Sequence, residues 1–170
     1  CFYQNNILIS TMNIVQGSEA VERIMNGIVI AKNAVSGTIG PDGKNVVIEQ
    51  DLPPYHIITN DGATIIEAIK LTDPLEKRGL AFMKEVVTRS NSNSGDGSTT
   101  TTILAHAIIE EGLFQSGMEV KKSLDELLPI IEQKIDEQTR MITEDEVEQV
   151  AVIAGESKVL GKLLGPVKVG

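Results

Sequence analysis

The sequence predicts a mainly α-helical fold with a small β element, on three observations. Apolar residues recur at helical spacing through most of the chain, with charged residues between them and caps or breakers at the ends. Only two short β-branched runs interrupt that pattern, Val46-Val47-Ile48 and His56-Ile57-Ile58-Thr59. A hydroxyl run, Ser98 to Thr102, stands where periodicity marks the start of a helix, a place that propensity alone would not choose for it.

In chain order, Ser18 opens an amphipathic pattern in which Val21, Ile24, Met25, Ile28, Val29 and Val35 form one face, with Glu19, Glu22, Arg23, Lys32 and Asn33 between them. The breakers of Gly37-Thr38-Ile39-Gly40-Pro41-Asp42-Gly43 end it, and Pro-Asp-Gly is a turn because Pro presets φ and Asp bonds its own backbone. The two β-rich runs follow, separated by Asp51-Leu52-Pro53-Pro54, and are expected to pair. Asn60-Asp61-Gly62 reads as a tight turn, and Ala63 to Lys70 as a strand or short helix. Asp73-Pro74-Leu75-Glu76 supplies an acidic cap, Pro at the first helical position and Glu at the third, ahead of a buried stripe of Leu80, Met83, Val86 and Val87. The helix after the hydroxyl run carries Ile103, Leu104, Ala107 and Ile108 and stops at Gly112. Leu124, Leu127, Leu128, Ile131 and Ile135 mark another helix that Pro129 starts or kinks. Thr143-Glu144-Asp145-Glu146 is a capping box for a helix through Ala154, and Gly165-Pro166 closes the last helix. No internal repeat or heptad seam is evident.

Composition excludes several classes. A chain of 170 residues can bury about two thirds of its unfolded surface, enough for one domain or a domain with an extension. Its net charge of −9 provides no basic stripe for a nucleic-acid backbone, so no nucleic-acid partner is expected and any bound anion should be small or metal-bound. Aromatic content of 3% without Trp leaves no base-stacking platform. One cysteine rules out an internal disulfide, and no apolar run is long enough for a membrane span, so a cytoplasmic protein with no membrane partner is expected. Residues 1–12, before the regular stretch that follows Met12, are read as a doubtful leader. His56 and His106 lack Cys or His company and are read as structural, Cys1 has no identified base, and Met25, Met83 and Met118 are expected to fill the core.

The segment Asn93-Ser94-Gly95-Asp96-Gly97-Ser98-Thr99-Thr100-Thr101-Thr102 carries the chemistry. Two glycines around an acid let backbone approach a ligand, and the N–H groups and positive dipole end of the following helix favour an anion. An ordinary N-cap is the simpler reading. The five hydroxyl residues forgo roughly 2–3 kcal/mol of helix propensity, whereas one cap returns about 1 kcal/mol. A phosphate ligand that uses those hydroxyls would explain the excess.

Three bends, Thr38-Ile39-Gly40-Pro41, Thr59-Asn60-Asp61-Gly62 and Gly95-Asp96-Gly97-Ser98-Thr99-Thr100, resemble in order and spacing those of the chaperonins. The bacterial GroEL class has T-L-G-P, then T-K-D-G, then G-D-G-T-T-T before a helix that leads to E-G-L, here Glu111-Gly112-Leu113. The likeness runs from about Asn13 to the end, and Gly117-Met118 and Gly161-Lys162-Leu163 continue it. The resemblance implies a multi-helical, chaperonin equatorial-domain-like fragment: residues 13–142 as the N-terminal part of the equatorial ATP-binding domain and residues 143–170 as the start of the intermediate domain, short of the apical domain. It implies ATP and Mg²⁺ as cofactors, an ATPase coupled to folding of unfolded client proteins, self-association into rings and a co-chaperonin cap as a possible partner. Thr38, Ile39, Gly40 and Pro41 would line the nucleotide, Asn60, Asp61 and Gly62 would form the second wall with Asp61 orienting the attacking water, Asp96 would bind Mg²⁺, and Gly97, Ser98, Thr99 and Thr100 would hold phosphates.

Two departures bear on that expectation. Where the bacterial class has Lys, this chain has Asn60, as in archaeal and eukaryotic chaperonins, and a phosphate-contacting charge is lost; Ser98 replaces Thr and keeps the hydroxyl. Alternatives are an unrelated small kinase or NTPase and a non-catalytic helical interaction module. The stretch Gly37 to Asn45 approaches a P-loop, but its glycine spacing is one residue too long and Asn45 stands where Ser or Thr should bind Mg²⁺. By the resemblance, the 170-residue chain alone would lack part of the nucleotide pocket, hydrolyse ATP weakly or not at all, and expose apolar helix faces.

Overall fold

A computed structural model describes residues 17–40, 42–154 and 157–164. The elements run α1 (Ser18–Ser36), β1 (Val46–Glu49), β2 (His56–Thr59), α2 (Gly62–Ala68), α3 (Pro74–Ser94), α4 (Ser98–Gly112), α5 (Gly117–Gln138), α6 (Glu144–Ala154) and α7 (Lys158–Leu164). This is the mainly α fold with a small β element that the periodicity predicts. The chain divides into two compact units after Gln115. The expected leader at residues 1–12 and the closing Gly165-Pro166 lie outside the described residues.

In the first unit α1 packs on α3 and α4, and α2 wedges against all three. The core is Ile28, Ala31 and Val35 from α1, Ile65 and Ile66 from α2, and Leu80, Met83 and Val87 from α3. Spacings of three, four and seven residues put the α1 and α3 sets each on one helical face, Ile65 and Ile66 are adjacent in the short α2, and each large side chain buried there contributes about 1.5–3 kcal/mol. The helices α1 and α3 come close enough that their backbones touch. A Cβ on Gly27 would run into the Glu76 carbonyl, and one on Gly79 into the Ile24 carbonyl. Both residues are mid-helix glycines, which cost about 1 kcal/mol each in propensity, so their use reflects the close approach they allow.

Asp73 caps α3 by accepting from the N–H groups of Leu75 (2.8 Å) and Glu76 (2.9 Å), and it also pairs with Arg23 of α1. The Arg23 guanidinium, with those two N–H groups, holds its carboxyl below the usual range. β1 and β2 pair antiparallel, Val46 opposite Thr59 and Ile48 opposite Ile57, with Val46 and Ile48 against the core and Val47 and Ile58 facing outward. The alternation is that of a hairpin with one buried face.

Three sequence expectations change. Asn60-Asp61-Gly62 is not a tight turn: Asp61 is the N-cap of α2, and of the two alternatives for the stretch that follows it is the short helix that forms. In α4 the predicted stripe does not face inward as a whole: Leu104, Ala107 and Ile108 are exposed, and it is Ala105 and Ile109 that pack on the core. Ser98, Thr102 and His106 are buried there, while Leu104 and Ile108 are about half exposed, because the end of α1 and the start of α2 offer hydrogen-bonding groups to that side. Met83 is fully buried as expected, but Met118 is 82% exposed and fills no core.

In the second unit α5 accommodates Pro129 within its length and buries none of its side chains. Half of the expected capping box forms at α6: the Glu146 carboxylate accepts from the Thr143 N–H at 2.8 Å, while the Thr143 hydroxyl turns to the same carboxylate at 3.2 Å and not to the Glu146 N–H. Arg140 donates to both Glu146 oxygens, at 3.0 and 2.7 Å, and pulls that carboxyl down to about 2. α6 and α7 pack where Gly161 lies against Val152.

The crossing of α1 and α3 gives a direct test. Gly79→Ala should lower stability by about 2–3 kcal/mol in chemical denaturation, whereas Gly37→Ala, with open space around its added methyl and φ of −77°, should change it by less than about 0.5 kcal/mol. Equal stability of the two variants would contradict the close approach.

Candidate functional site

The site grows from three chain ends that the core brings together. α1 stops at Ser36, and Thr38, only 9% exposed, folds back so that its hydroxyl donates to the Val35 carbonyl at 2.9 Å. With that proton committed, Thr38 Oγ1 is left to accept from Thr99 Oγ1 of α4, 3.2 Å away. The loop beyond closes by Gly43 N–H to Gly40 carbonyl (3.0 Å) and Lys44 N–H to Gly37 carbonyl (2.8 Å), with Gly40 at φ 80°. Ile39 and Gly40 are exposed beside Thr38; Pro41 lies outside the described residues.

Asp61 is the second contributor. Its Oδ1 accepts from the Ala63 N–H (3.2 Å), and its Oδ2 from the Thr64 N–H (3.0 Å) and hydroxyl (2.5 Å). Across the gap the Ser98 hydroxyl points to Oδ1 at 3.5 Å, at the limit of hydrogen bonding. Partial burial would push this carboxyl up, but the Thr64, Ala63 and Ser98 donors together outweigh it and hold the group ionised below the usual range. The Asp61 N–H is itself held by Thr59 Oγ1 at 3.0 Å.

The third contributor is the start of α4. Gly95 and Gly97 both take left-handed conformations, φ 74° and 88°, one ending α3 and the other opening α4. Asp96 is exposed between them and accepts from the Gly97 N–H at 2.5 Å. Because the N-cap is Gly97, no side chain caps the N–H groups of Ser98, Thr99 and Thr100. Ser98 is buried, Thr99 half-buried and Thr100 exposed. A Cβ on Gly62 would come within 2.6 Å of Thr99 Oγ1 and 2.9 Å of Ser98 Oγ, so glycine there is required for α2 and α4 to meet.

Thr38, Asp61, Gly62, Ser98 and Thr99 therefore meet directly, and Ile39, Gly40, Asn60, Asp96, Gly97 and Thr100 flank them along the chain. Sequence reasoning missed Thr64 and Thr59, which fix Asp61. The available signal was Thr64 three residues after an acidic cap, the position from which a side chain returns to the N-cap. The P-loop alternative fails on structure too, since the stretch Gly37 to Asn45 leads into β1 and not into a helix.

Mg·ATP fits these residues. Uncapped amides and hydroxyls at a helix start suit phosphate oxygens. Two carboxylates, Asp61 and Asp96, flank the same loop and would repel a bare phosphate, so a cation should accompany it. Mg²⁺ is a cation that one or two carboxylates can hold together with phosphate oxygens and water; among the described residues no group of three or more metal-ligating side chains occurs. A hollow of about 300 Å³ between α2 and α3, lined by Ala63, Glu67, Lys84 and Asn91, lacks these features.

Acid titration tests the Asp61 arrangement. Its folded pKa is depressed, so its contribution is complete above the unfolded value of 3.8 and disappears as pH falls through the lower folded value. Asp61→Asn should therefore flatten the loss of stability between about pH 5 and about pH 2; an unchanged acid limb would contradict the arrangement.

Two comparisons with known proteins bear on the site. The family profile described as the TCP-1/cpn60 chaperonin family matches residues 31–166. Among solved structures, the chaperonin gp146 from bacteriophage EL 2 (Pseudomonas aeruginosa), determined in the presence of ATP-BeFx, is similar in each of two crystal forms, with TM-score 0.74 and 25% identity. The match covers 89% of this chain and 28% of gp146, so the chain spans a little over a quarter of the length of that relative. With the profile extending over most of its length and the three bends in family order, this chain belongs to the TCP-1/cpn60 chaperonin family.

Proposed function

We propose that this chain is the N-terminal part of the equatorial ATP-binding domain of a protein-folding chaperonin, with residues from about Thr143 entering the intermediate domain. The observation that carries the reading is the meeting of Thr38, Asp61, Ser98 and Thr99 at the uncapped start of α4. Family membership supports it, as does the nucleotide analogue present with gp146.

In this reading Thr38, Ile39, Gly40 and Pro41 lie along the nucleotide, with Asn60 and Gly62 in the facing wall. Gly97, Ser98, Thr99 and Thr100 donate amides and hydroxyls to its phosphates, and Asp96 holds Mg²⁺. When bound, Mg²⁺ neutralises phosphate charge and orients the phosphates. Phosphoryl transfer needs mainly positioning and charge stabilisation. Asp61, kept ionised and fixed at the cap of α2, orients the attacking water as a hydrogen-bond acceptor, a role for which a depressed pKa is no handicap. Hydrolysis would drive shape change in a ring of copies, with client proteins bound elsewhere in the full-length protein, with or without a capping co-chaperonin. Among the described residues no helix is long and apolar enough to cross a membrane, and a cytoplasmic site of action follows from the same reading.

Two measurements test it. In the full-length protein, Asp96→Ala should weaken Mg·ATP binding by at least about tenfold in calorimetry, while Asp61→Asn should keep binding and lose about a hundredfold or more in turnover. A non-catalytic module would show neither effect. The 170-residue polypeptide alone should self-associate in sedimentation, given that Leu104 and Phe114 are 57% and 93% exposed, and should hydrolyse ATP weakly or not at all. A monomeric chain with robust turnover would contradict the reading.

A further inference from the structure

Both lone-pair regions of Asp61 Oδ2 are taken by one residue. Thr64 donates its N–H at 3.0 Å and its hydroxyl at 2.5 Å, the latter within the short range of charge-assisted O–H···O bonds. Oδ1 is held far more loosely, by the Ala63 N–H at 3.2 Å and the Ser98 hydroxyl at 3.5 Å. The two oxygens of this carboxylate are thus unequal. Each oxygen has two donors, but those on Oδ2 are short, whereas the Ser98 bond to Oδ1 is at the limit of hydrogen bonding and gives way readily to a closer donor on the side of α4. An N-cap needs only the backbone N–H bonds, and the Thr64 hydroxyl adds a contact that capping does not require.

We propose that Thr64 is a positioning residue for ATP hydrolysis: by holding Oδ2 with two short bonds it leaves the weakly held Oδ1 as the acceptor that the attacking water can take, in place of the long Ser98 bond, and directs that water toward the start of α4. The inference rests on the proposed role of Asp61. Without the hydroxyl, Oδ2 regains an accepting site on the far side of the carboxylate. Water is then shared between two positions, of which one is unproductive. Misplacement of a reactant by about an ångström is enough to slow a reaction strongly, while nucleotide affinity, which depends on the amides and hydroxyls of α4, should be preserved.

The test compares Thr64→Val, which keeps the branched shape without the hydroxyl, with Thr64→Ser, which keeps the hydroxyl, in the full-length protein. T64V is expected to lose about tenfold or more in kcat with the Kd for Mg·ATP unchanged within about twofold, and T64S to retain most of kcat. T64V with unaltered kcat would overturn the proposal. So would loss of nucleotide binding or of folded structure in T64V, which would show a structural role, or equal losses of kcat in T64V and T64S. Asp61→Asn separates the two levels. If D61N abolishes turnover and T64V does not, only the role of Thr64 fails; if D61N hydrolyses ATP normally, the reading of Asp61 fails and takes this inference with it.

Discussion

The contact between the backbones of α1 and α3 at Gly27 and Gly79 sets the geometry on which the rest of the first unit depends. Each glycine faces a carbonyl of the other helix, Gly27 that of Glu76 and Gly79 that of Ile24, so the helices lie closer than side chains would permit. Core residues on either side, Ile28 and Val35 on α1 with Leu80 and Met83 on α3, are then buried together. The site inherits its dimensions from that crossing. The end of α1 delivers Thr38, α2 delivers Asp61, and the turn after α3 delivers Asp96 and the start of α4. A small shift between α1 and α3 would separate Thr38 from Thr99, whose hydroxyls are 3.2 Å apart.

The orientation of α4 follows from the same constraint. Its inward residues are Ser98, Thr102 and His106, four residues apart, and they meet polar groups: Thr102 donates back to the Ser98 carbonyl at 2.8 Å, and His106 Nδ1 lies 3.5 Å from Glu110. No described buried side-chain polar atom lacks a partner, which is what makes a hydroxyl-lined interior tolerable. The helix gives up a continuous apolar contact to keep its first turn against Thr38 and Asp61. Leu104 and Ile108 are consequently left outward, available for burial by other parts of the protein or by other copies.

Much of this was legible in the residues. The cap at Asp73, the apolar stripe of α1 apart from the exposed Val21, and the pairing of the two β-branched runs all rest on local chemistry, and the structure has them where the sequence predicts. The three bends stood out because glycine and hydroxyl residues were concentrated where propensity disfavours them. What local pattern could not give was direction. Periodicity in α4 identifies an apolar face but cannot tell that the polar face turns inward, because that depends on Thr38 and Asp61, 61 and 37 residues away in the chain from Thr99 and Ser98. Asn60-Asp61-Gly62 has the composition of a hairpin turn and becomes a helix cap because Ala63 and Thr64 supply donors to Asp61. Gly27 and Gly79 did carry a signal, since a glycine amid a strong helical pattern usually has a packing reason, but the partner backbone is visible only in three dimensions.

The start of α4 is proposed as a phosphate site with Asp96 as its metal ligand. The most direct measurement is a structure of the full-length protein with Mg²⁺ and a non-hydrolysable ATP analogue. The account predicts phosphate oxygens within about 3 Å of the Ser98, Thr99 and Thr100 amides and Mg²⁺ at about 2.1 Å from an Asp96 oxygen. Nucleotide lodged elsewhere, for example in the hollow between α2 and α3, with the Gly95 to Thr100 segment making no contact to it, would contradict the account.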